Sequence, residues 1–417
     1  MIEKGFFLFQ SNFETFSRRV VLGFLVLFGL NACTEPFDLS NENIEDFLVV
    51  NARITDELTN HRIVLSRTIG FGNNVRPIYE SGATIVVTEN NATNYSFSEI
   101  ESGIYESDQE FRAVSGQEYQ LSIRTQNGLS YRSDKVIAPQ QGSLDEVYVK
   151  RMRNEDGVDG VGIFVNSFDP SGNSKFYRFG YEETFRVSAP LWISVDVEPK
   201  LTPDGIGFRL VERPESQKVC YQTQLSNNIN LVNTSGFAED RIQDLPIRFI
   251  PADDIVVAER YSILVNQFIQ TQEAQSFYRV LDDFSGSDNL FAQIQPGFIG
   301  GNIFLENDPD TKALGFFDVS SLSQKRVFFD HDDFLGDLPP FELDCEEVVP
   351  PQPANSNISI EERLEILRGF IIANKARLKV PPYIPPPGEF PTFVFIPREC
   401  GDCTALGKAE APEFWIE

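Results

Sequence analysis

The run Tyr119-Gln120-Leu121-Ser122-Ile123-Arg124 alternates apolar and polar side chains without a break, and Asn127-Gly128 follows it. Successive side chains of an extended backbone point to opposite faces, so Tyr119, Leu121 and Ile123 form one apolar row of a half-buried strand. Asn-Gly supplies the positive φ angles of a tight hairpin turn, and Leu129 to Val136 runs back. Further strands precede this hairpin: Phe47 to Val50, Arg62 to Ser66 after a polar turn, and Ala83 to Thr88 closed by Asn90-Asn91. Strands spaced by roughly ten residues, no helical stripe and an end at Pro139 describe an N-terminal Ig-like β-sandwich over residues 47–139.

Gln140 to Ser143 reads as a linker into a larger β-rich domain over residues 143–417. Its strands are Leu144 to Lys150, Val161 to Phe168, Lys175 to Phe185, Ile206 to Val211, Ile229 to Val232, Ile247 to Ile250 and Arg260 to Phe268. Two helices interrupt them. Thr271 caps one near 271–284, where Ala274, Phe277, Tyr278, Leu281 and Phe284 fall at helical spacing. Ser359 and Glu362 form a capping box for the other, near 360–379, with Ile360, Leu364, Leu367 and Ile371 as its apolar stripe. Pro350-Pro351-Gln352-Pro353 and Pro381 to Pro387 bracket that second helix as stiff, extended segments. The expected class is mainly β, and 37 Phe against 2 Trp and 2 Met suit a β-rich core.

Ahead of all this, Arg18-Arg19 leads into the apolar run Val20 to Leu30. Its length fits a signal-peptide core and falls short of the ~20 residues that span a bilayer. The run ends in Leu30-Asn31-Ala32-Cys33, which resembles a lipobox, an aliphatic residue at −3 and a small one at −1 before the cysteine that takes the lipid. Residues 1–32 are therefore expected to be a lipoprotein signal peptide, with Cys33 lipidated and residues 33–46 a polar tether. Thr34 at the next position gives no inner-membrane retention, and Glu35 and Asp38 favour display outward from an outer membrane. No later run reaches ~18 apolar residues, so no second span is expected.

With Cys33 assigned to lipid, Cys220, Cys345, Cys400 and Cys403 remain. In an oxidising compartment four cysteines favour two disulfides, with three connectivities open. We expect Cys400 and Cys403 to tie the carboxyl tail to the distant Cys345 and Cys220. A redox link between Cys400 and Cys403 would want a βαβ context, and a metal reading would need a second ligand pair.

The net charge is −27. Removing Glu3, Glu14, Lys4, Arg18 and Arg19 with the leader leaves 32 basic against 60 acidic side chains, or −28. A field of that sign repels phosphate backbones, so no nucleic-acid partner is expected. Only His61 and His331 are present, which removes most triads and histidine-rich metal sites. No nucleophile elbow, zinc-protease helix or phosphate loop occurs. Asp330-His331-Asp332-Asp333 reads as an exposed charged loop. Asn154-Glu155-Asp156-Gly157 and Asp282-Asp283 with Asp288-Asn289 lack calcium-loop spacing. No catalytic residue, metal or cofactor is therefore assigned. Tyr105, Trp192, Tyr383 and Trp415 could stack on sugars, with core packing as the competing reading.

In order and spacing, Phe47 to Asn51, Val64 to Thr68, Gly82 to Val87, Gly103-Ile104-Tyr105 and Gly116 to Leu121 resemble an uncharacterised family of Bacteroidota lipoproteins. Gly300-Gly301-Asn302-Ile303, Leu314-Gly315-Phe316-Phe317 and the ending Cys400-Gly401-Asp402-Cys403-Thr404 with Pro412 to Trp415 continue the resemblance. It implies a domain of unknown function encoded beside TonB-dependent receptors, and brings no catalytic residues. The leading expectation is an accessory protein, anchored to the outer membrane by its N-terminal lipid, that binds such a transporter and its cargo. A stand-alone glycan- or peptide-binding surface lipoprotein is the second reading. The third is a hydrolase using paired carboxylates, which no motif reveals in so acidic a chain.

Overall fold

The computed structural model describes residues 47–68, 78–203, 205–285, 300–351, 358–384 and 390–417. The expected leader, Cys33 and tether lie outside the described residues. The fold is mainly β. Strands β1 (Leu48–Thr55), β2 (Arg62–Arg67), β3 (Ile78–Tyr79), β4 (Thr84–Glu89), β5 (Thr93–Glu101), β6 (Ile104–Ser107), β7 (Glu118–Arg124), β8 (Ser130–Ser133) and β9 (Val136–Ile137) come first. Next are β10 (Leu144–Arg153), β11 (Asp159–Phe168), β12 (Phe176–Ser188), β13 (Val195–Thr202), β14 (Gly205–Glu212), β15 (Val219–Leu225), β16 (Asn230–Asn233), β17 (Arg241–Pro251) and β18 (Arg260–Ile269). The series ends with β19 (Gly300–Leu305), β20 (Asp308–Asp330), β21 (Ala376–Leu378) and β22 (Phe395–Pro397).

Nine strands close on themselves in the order β1-β2-β6-β5-β4-β7-β8-β19-β20, and β20 returns to β1. The Ig-like sandwich expected over 47–139 is not confirmed: its strands are completed by two from residues 300–320, and the hydrogen-bond ladder is a ring. Closure removes every free edge of those nine strands. The ring is antiparallel except at the β1–β20 seam, where Val49 to Thr55 run parallel to Leu314 to Ser320. Leu48, Val50, Ala52 and Ile54 of β1 point inward with Ile85, Val87, Tyr119, Leu121 and Ile123, as alternation requires.

The seam explains two glycine motifs. A side chain on Gly301 would collide with the Gly315 carbonyl, and one on Gly315, whose φ is +107°, with the Val50 carbonyl. Between them, Asn302 bridges an irregular β19–β20 register. Its amide donates to Phe317 O at 3.0 Å and its side-chain oxygen accepts from Phe317 N at 2.8 Å.

β20 is 23 residues long, and its second half leaves the ring to pair with β18. β12 and then β15 extend that sheet. The three-stranded sheet β10-β11-β17 contributes Val161, Ile163 and Val165 to a second core with Phe179, Phe185, Tyr261, Ile263 and Val265. A third, small core gathers Val197, Leu367, Leu378, Phe393 and Phe395.

The first expected helix spans Gln272–Ser285, with Thr271 Oγ1 accepting from Ala274 N at 3.2 Å. Ala274 is fully buried and Phe277 stacks on Phe316 at 5.1 Å. The second spans Ile360–Ile372, and both bonds of the Ser359–Glu362 capping box form. It ends earlier than expected because Asn374 takes a left-handed φ of +56°, after which Ala376–Leu378 is strand. A short helix, His331–Leu335, replaces the exposed loop expected at Asp330 to Asp333. There Asp330 and Asp333 cap each other, and His331 is buried with its two ring nitrogens 3.0 and 3.1 Å from the carbonyls of Val257 and Leu338.

Candidate functional site: a groove under a disulfide-held strap

The edge of the second core carries a groove of about 470 Å³. Its floor is the end of β12 (Arg186 to Ser188), Leu191 and the short turn Ile255–Val257. Asp254 fixes that turn by accepting from Val256 N at 3.0 Å. The opposite wall is a strap, Pro340 to Leu343 and Cys345. The lining is mostly apolar, with an ionic lip where Arg186 meets Glu259 at 2.8 Å and Glu417 at 3.1 Å. An apolar trough with a few fixed charges suits binding of an amphipathic ligand or a partner's loop.

Two disulfides hold the strap and the tail. Cys345 pairs with Cys400, and Cys220 with Cys403, so each half of the C-terminal pair reaches a distant partner as expected. The tail then follows the outer edge of β15. Tyr221 and Lys408 exchange backbone bonds of 2.8 and 2.9 Å, and Trp415 packs edge-on to Tyr221 at 5.0 Å. This covers an edge that would otherwise be open for pairing.

Asp402, between the two cysteines, is 1% exposed and works as an ionic hub. It takes Arg377 at 2.6 Å and Arg398 at 3.3 Å, while its other oxygen accepts from Thr404. Burial pushes its carboxyl up, but the Thr404 hydroxyl and the Arg377 guanidinium outweigh that and hold it below the usual range. A second buried hub joins the ring to its neighbours. Asp318 takes Arg53 at 3.2 Å and Tyr278 at 3.3 Å, with the Arg178 guanidinium 4.3 Å from the Phe268 ring. Asp169 holds the loop after β11 through the backbone amides of Ser171, Asn173 and Ser174. Burial would raise its pKa, yet the Ser171 and Ser174 donors bring it down to about 2.

The aromatic residues proposed for sugar stacking do not share a face. Tyr105 is fully buried in the ring, its hydroxyl donating to Glu80 O and accepting from Ala83 N. Trp192 packs against the second core, Trp415 of the tail packs on Tyr221, and Tyr383 is 74% exposed. His61 is buried, its Nε2 3.0 Å from Phe111 O. Asn154 spends its side chain on Val158 N in the β10–β11 turn. Asp288 and Asn289 lie outside the described residues. Among the described residues no group of three or more His, Cys, Asp or Glu could hold a metal ion, and no helix is long and apolar enough to cross a membrane. Sequence reasoning missed the groove itself, because residues 186, 255 and 340 come together only through tertiary pairing.

Residues 34–326 match the model of a domain of unknown function, DUF4249. The chain belongs to that family. The DUF4249 match takes in the whole closed sheet, β20 as far as Arg326, and the floor of the groove. It stops before the strap, the helix Ile360–Ile372 and the Cys400 to Trp415 ending, so the resemblance noted for that ending falls beyond it. No curated protein matches the chain.

Proposed function

We propose that this DUF4249 protein is exported, cleaved before Cys33, and anchored by lipid at the outer membrane of a Bacteroidota cell with its body facing outward. There it is a non-enzymatic accessory protein that docks on a TonB-dependent transporter and holds cargo for it. The observation that carries this reading is the cysteine pattern. Cys220, Cys345, Cys400 and Cys403 are all consumed in two disulfides, which suit an oxidising compartment. That leaves Cys33, placed after an eleven-residue apolar run and Leu30-Asn31-Ala32, as the one thiol for lipid. The groove under the strap is the surface we assign to cargo or to the transporter's loops.

Extraction in mild detergent of a chain tagged after Glu417, followed by mass spectrometry of what co-purifies, tests the proposal. A TonB-dependent transporter in near-stoichiometric yield is the expected result. A monomer with no membrane partner counts against it and favours the stand-alone binding lipoprotein, for which the same apolar groove is the supporting observation.

A further inference from the structure

The strap over the groove is pinned at two points of different strength. Its far end carries the Cys345–Cys400 disulfide. Its near end starts at Leu338, just after the short helix His331–Leu335, and is fastened through a histidine. Among the described residues, no hydrogen bond holds residues 339–343 between those points, and Pro339 and Pro340 have no amide to donate. The histidine is His331, which is 6% exposed. Its Nδ1 lies 3.0 Å from Val257 O, in the turn that floors the groove, and its Nε2 3.1 Å from Leu338 O, at the root of the strap. A carbonyl oxygen only accepts, and a neutral imidazole carries one N–H. The neutral ring therefore satisfies one of these carbonyls and sets a lone pair against the other, whereas the imidazolium donates to both.

The two carbonyls are not equally anchored. Val257 is fully buried in the second core, and its turn is held by Val257 N donating to Asp254 O at 3.2 Å and by the Asp254 side chain. Leu338 is half-buried and kept by one backbone bond, to Leu335 O at 2.8 Å, beside the exposed and therefore weak Arg151–Asp337 pair. Asp330, Asp332 and Asp333 flank His331 in the chain, and Asp254, Glu259 and Arg260 lie on the floor side. Arg151 and Arg153 of β10 and Asp337 lie on the strap side. Arg260 is paired with Asp330, Arg151 with Asp337 and Arg153 with Asp159, while Glu259 takes Arg186. No unpaired cation among these stands against a positive ring.

We infer that the strap is a pH-gated lid on the groove, fastened to the floor while His331 is doubly protonated and released at Leu338 when the ring gives up a proton. The fastened form holds that proton more tightly than the released one. Closure is therefore favoured in acid and lost as pH rises through the titration of the ring. Release leaves the Cys345–Cys400 end as the hinge, and Phe341 and Leu343 of the strap move away from the floor together. The movement belongs to the chain alone, whether the groove takes cargo or a transporter's loop, and its test uses neither.

Two curves measured on the purified, unaltered chain test the lid. Ring 15N resonances of the two histidines, followed from about pH 5 to about pH 8, report which nitrogens carry protons, and His61→Gln assigns them. Chymotryptic cleavage after Phe341 is followed over the same range and normalised at each pH to a free peptide of residues 337–344. The expected result is a His331 ring with both nitrogens protonated at the acid end and one at the other. Cleavage should rise roughly fivefold or more with the same midpoint. His331→Gln should be cut at the fast rate throughout, and His61→Gln should keep the profile of the unaltered chain. The coincidence of the two curves in the unaltered chain decides the matter even where His331→Gln does not fold. A His331 ring whose protonation does not change over the range, cleavage indifferent to pH, or a cleavage midpoint apart from that of His331 would overturn the inference.

Discussion

In the closed sheet each of the nine strands has a main-chain partner on both sides, and two glycines let β19, β20 and β1 approach closely enough to seal the ring. Residues 340–417 are held differently. Among the described residues their longest strand pairing is three residues, β21 on β22, and the rest depends on the small core around Leu367, Phe393 and Phe395, two disulfides, the Asp402 hub and the edge contact at Tyr221. A ring closed by backbone hydrogen bonds tolerates side-chain change but not a backbone obstruction at its seam. A strap tied by covalent and ionic links tolerates neither reduction nor loss of charge, while its backbone is free to carry a groove.

That contrast is most easily broken at the seam. Gly315→Ala adds a methyl group against the Val50 carbonyl and forces a positive φ on a non-glycine residue. We expect a loss on the order of 4 kcal/mol or more, seen as failure to accumulate folded protein. Gly301→Ala should behave alike, whereas Gly369→Ala, with open space in a helix, should be neutral or better.

The disulfides come next. Replacing Cys220 and Cys403 with Ser opens a link across 183 residues, and Cys345 with Cys400 one across 55. In the chain-entropy model the losses are roughly 5 and 4 kcal/mol. Thermal melts should fall accordingly, and proteolysis should cut residues 340–345 first while the closed sheet stays resistant. Simultaneous loss of both regions would show that the two are not independently held.

Asp402→Asn should cost about 3–5 kcal/mol, because it leaves Arg398 without its carboxylate and Arg377 with Asp196 alone. Since Asp402 is held below the usual carboxyl range, its contribution is present above that range and lost as pH falls through its lowered pKa. The variant should therefore lack that part of the acid limb in a stability-against-pH profile. The smallest effect belongs to His61 in the ring. Burial holds its imidazole below 6.5, only partly offset by the Phe111 carbonyl. The unfolded chain takes the proton first, so stability falls as pH drops below 6.5, and His61→Gln should flatten that slope slightly.

Where one face was buried and the other wet, the strands were legible. β7 and β12 alternate along the sequence and in burial, β4 shows as an apolar run closed by Asn90-Asn91, and the Ser359 capping box and Thr271 cap mark helix starts. β5 was missed because only Phe97 of its nine residues is buried. β20 was missed because it serves the ring and then the second sheet, so no single alternation runs along its length. The ring itself was illegible for the same reason: its closure is a pairing between residues near 50 and near 315. In the site, the disulfide partners were narrowed by elimination, whereas the groove depends on segments over a hundred residues apart.

The most direct test is the intact mass of the protein taken from cell envelopes without reduction. A chain beginning at Cys33, heavier by its lipid chains and lighter by four hydrogens for the two disulfides, is the predicted result. A chain that keeps residues 1–32, or one with an unmodified Cys33 or free thiols at Cys220, Cys345, Cys400 and Cys403, would contradict it.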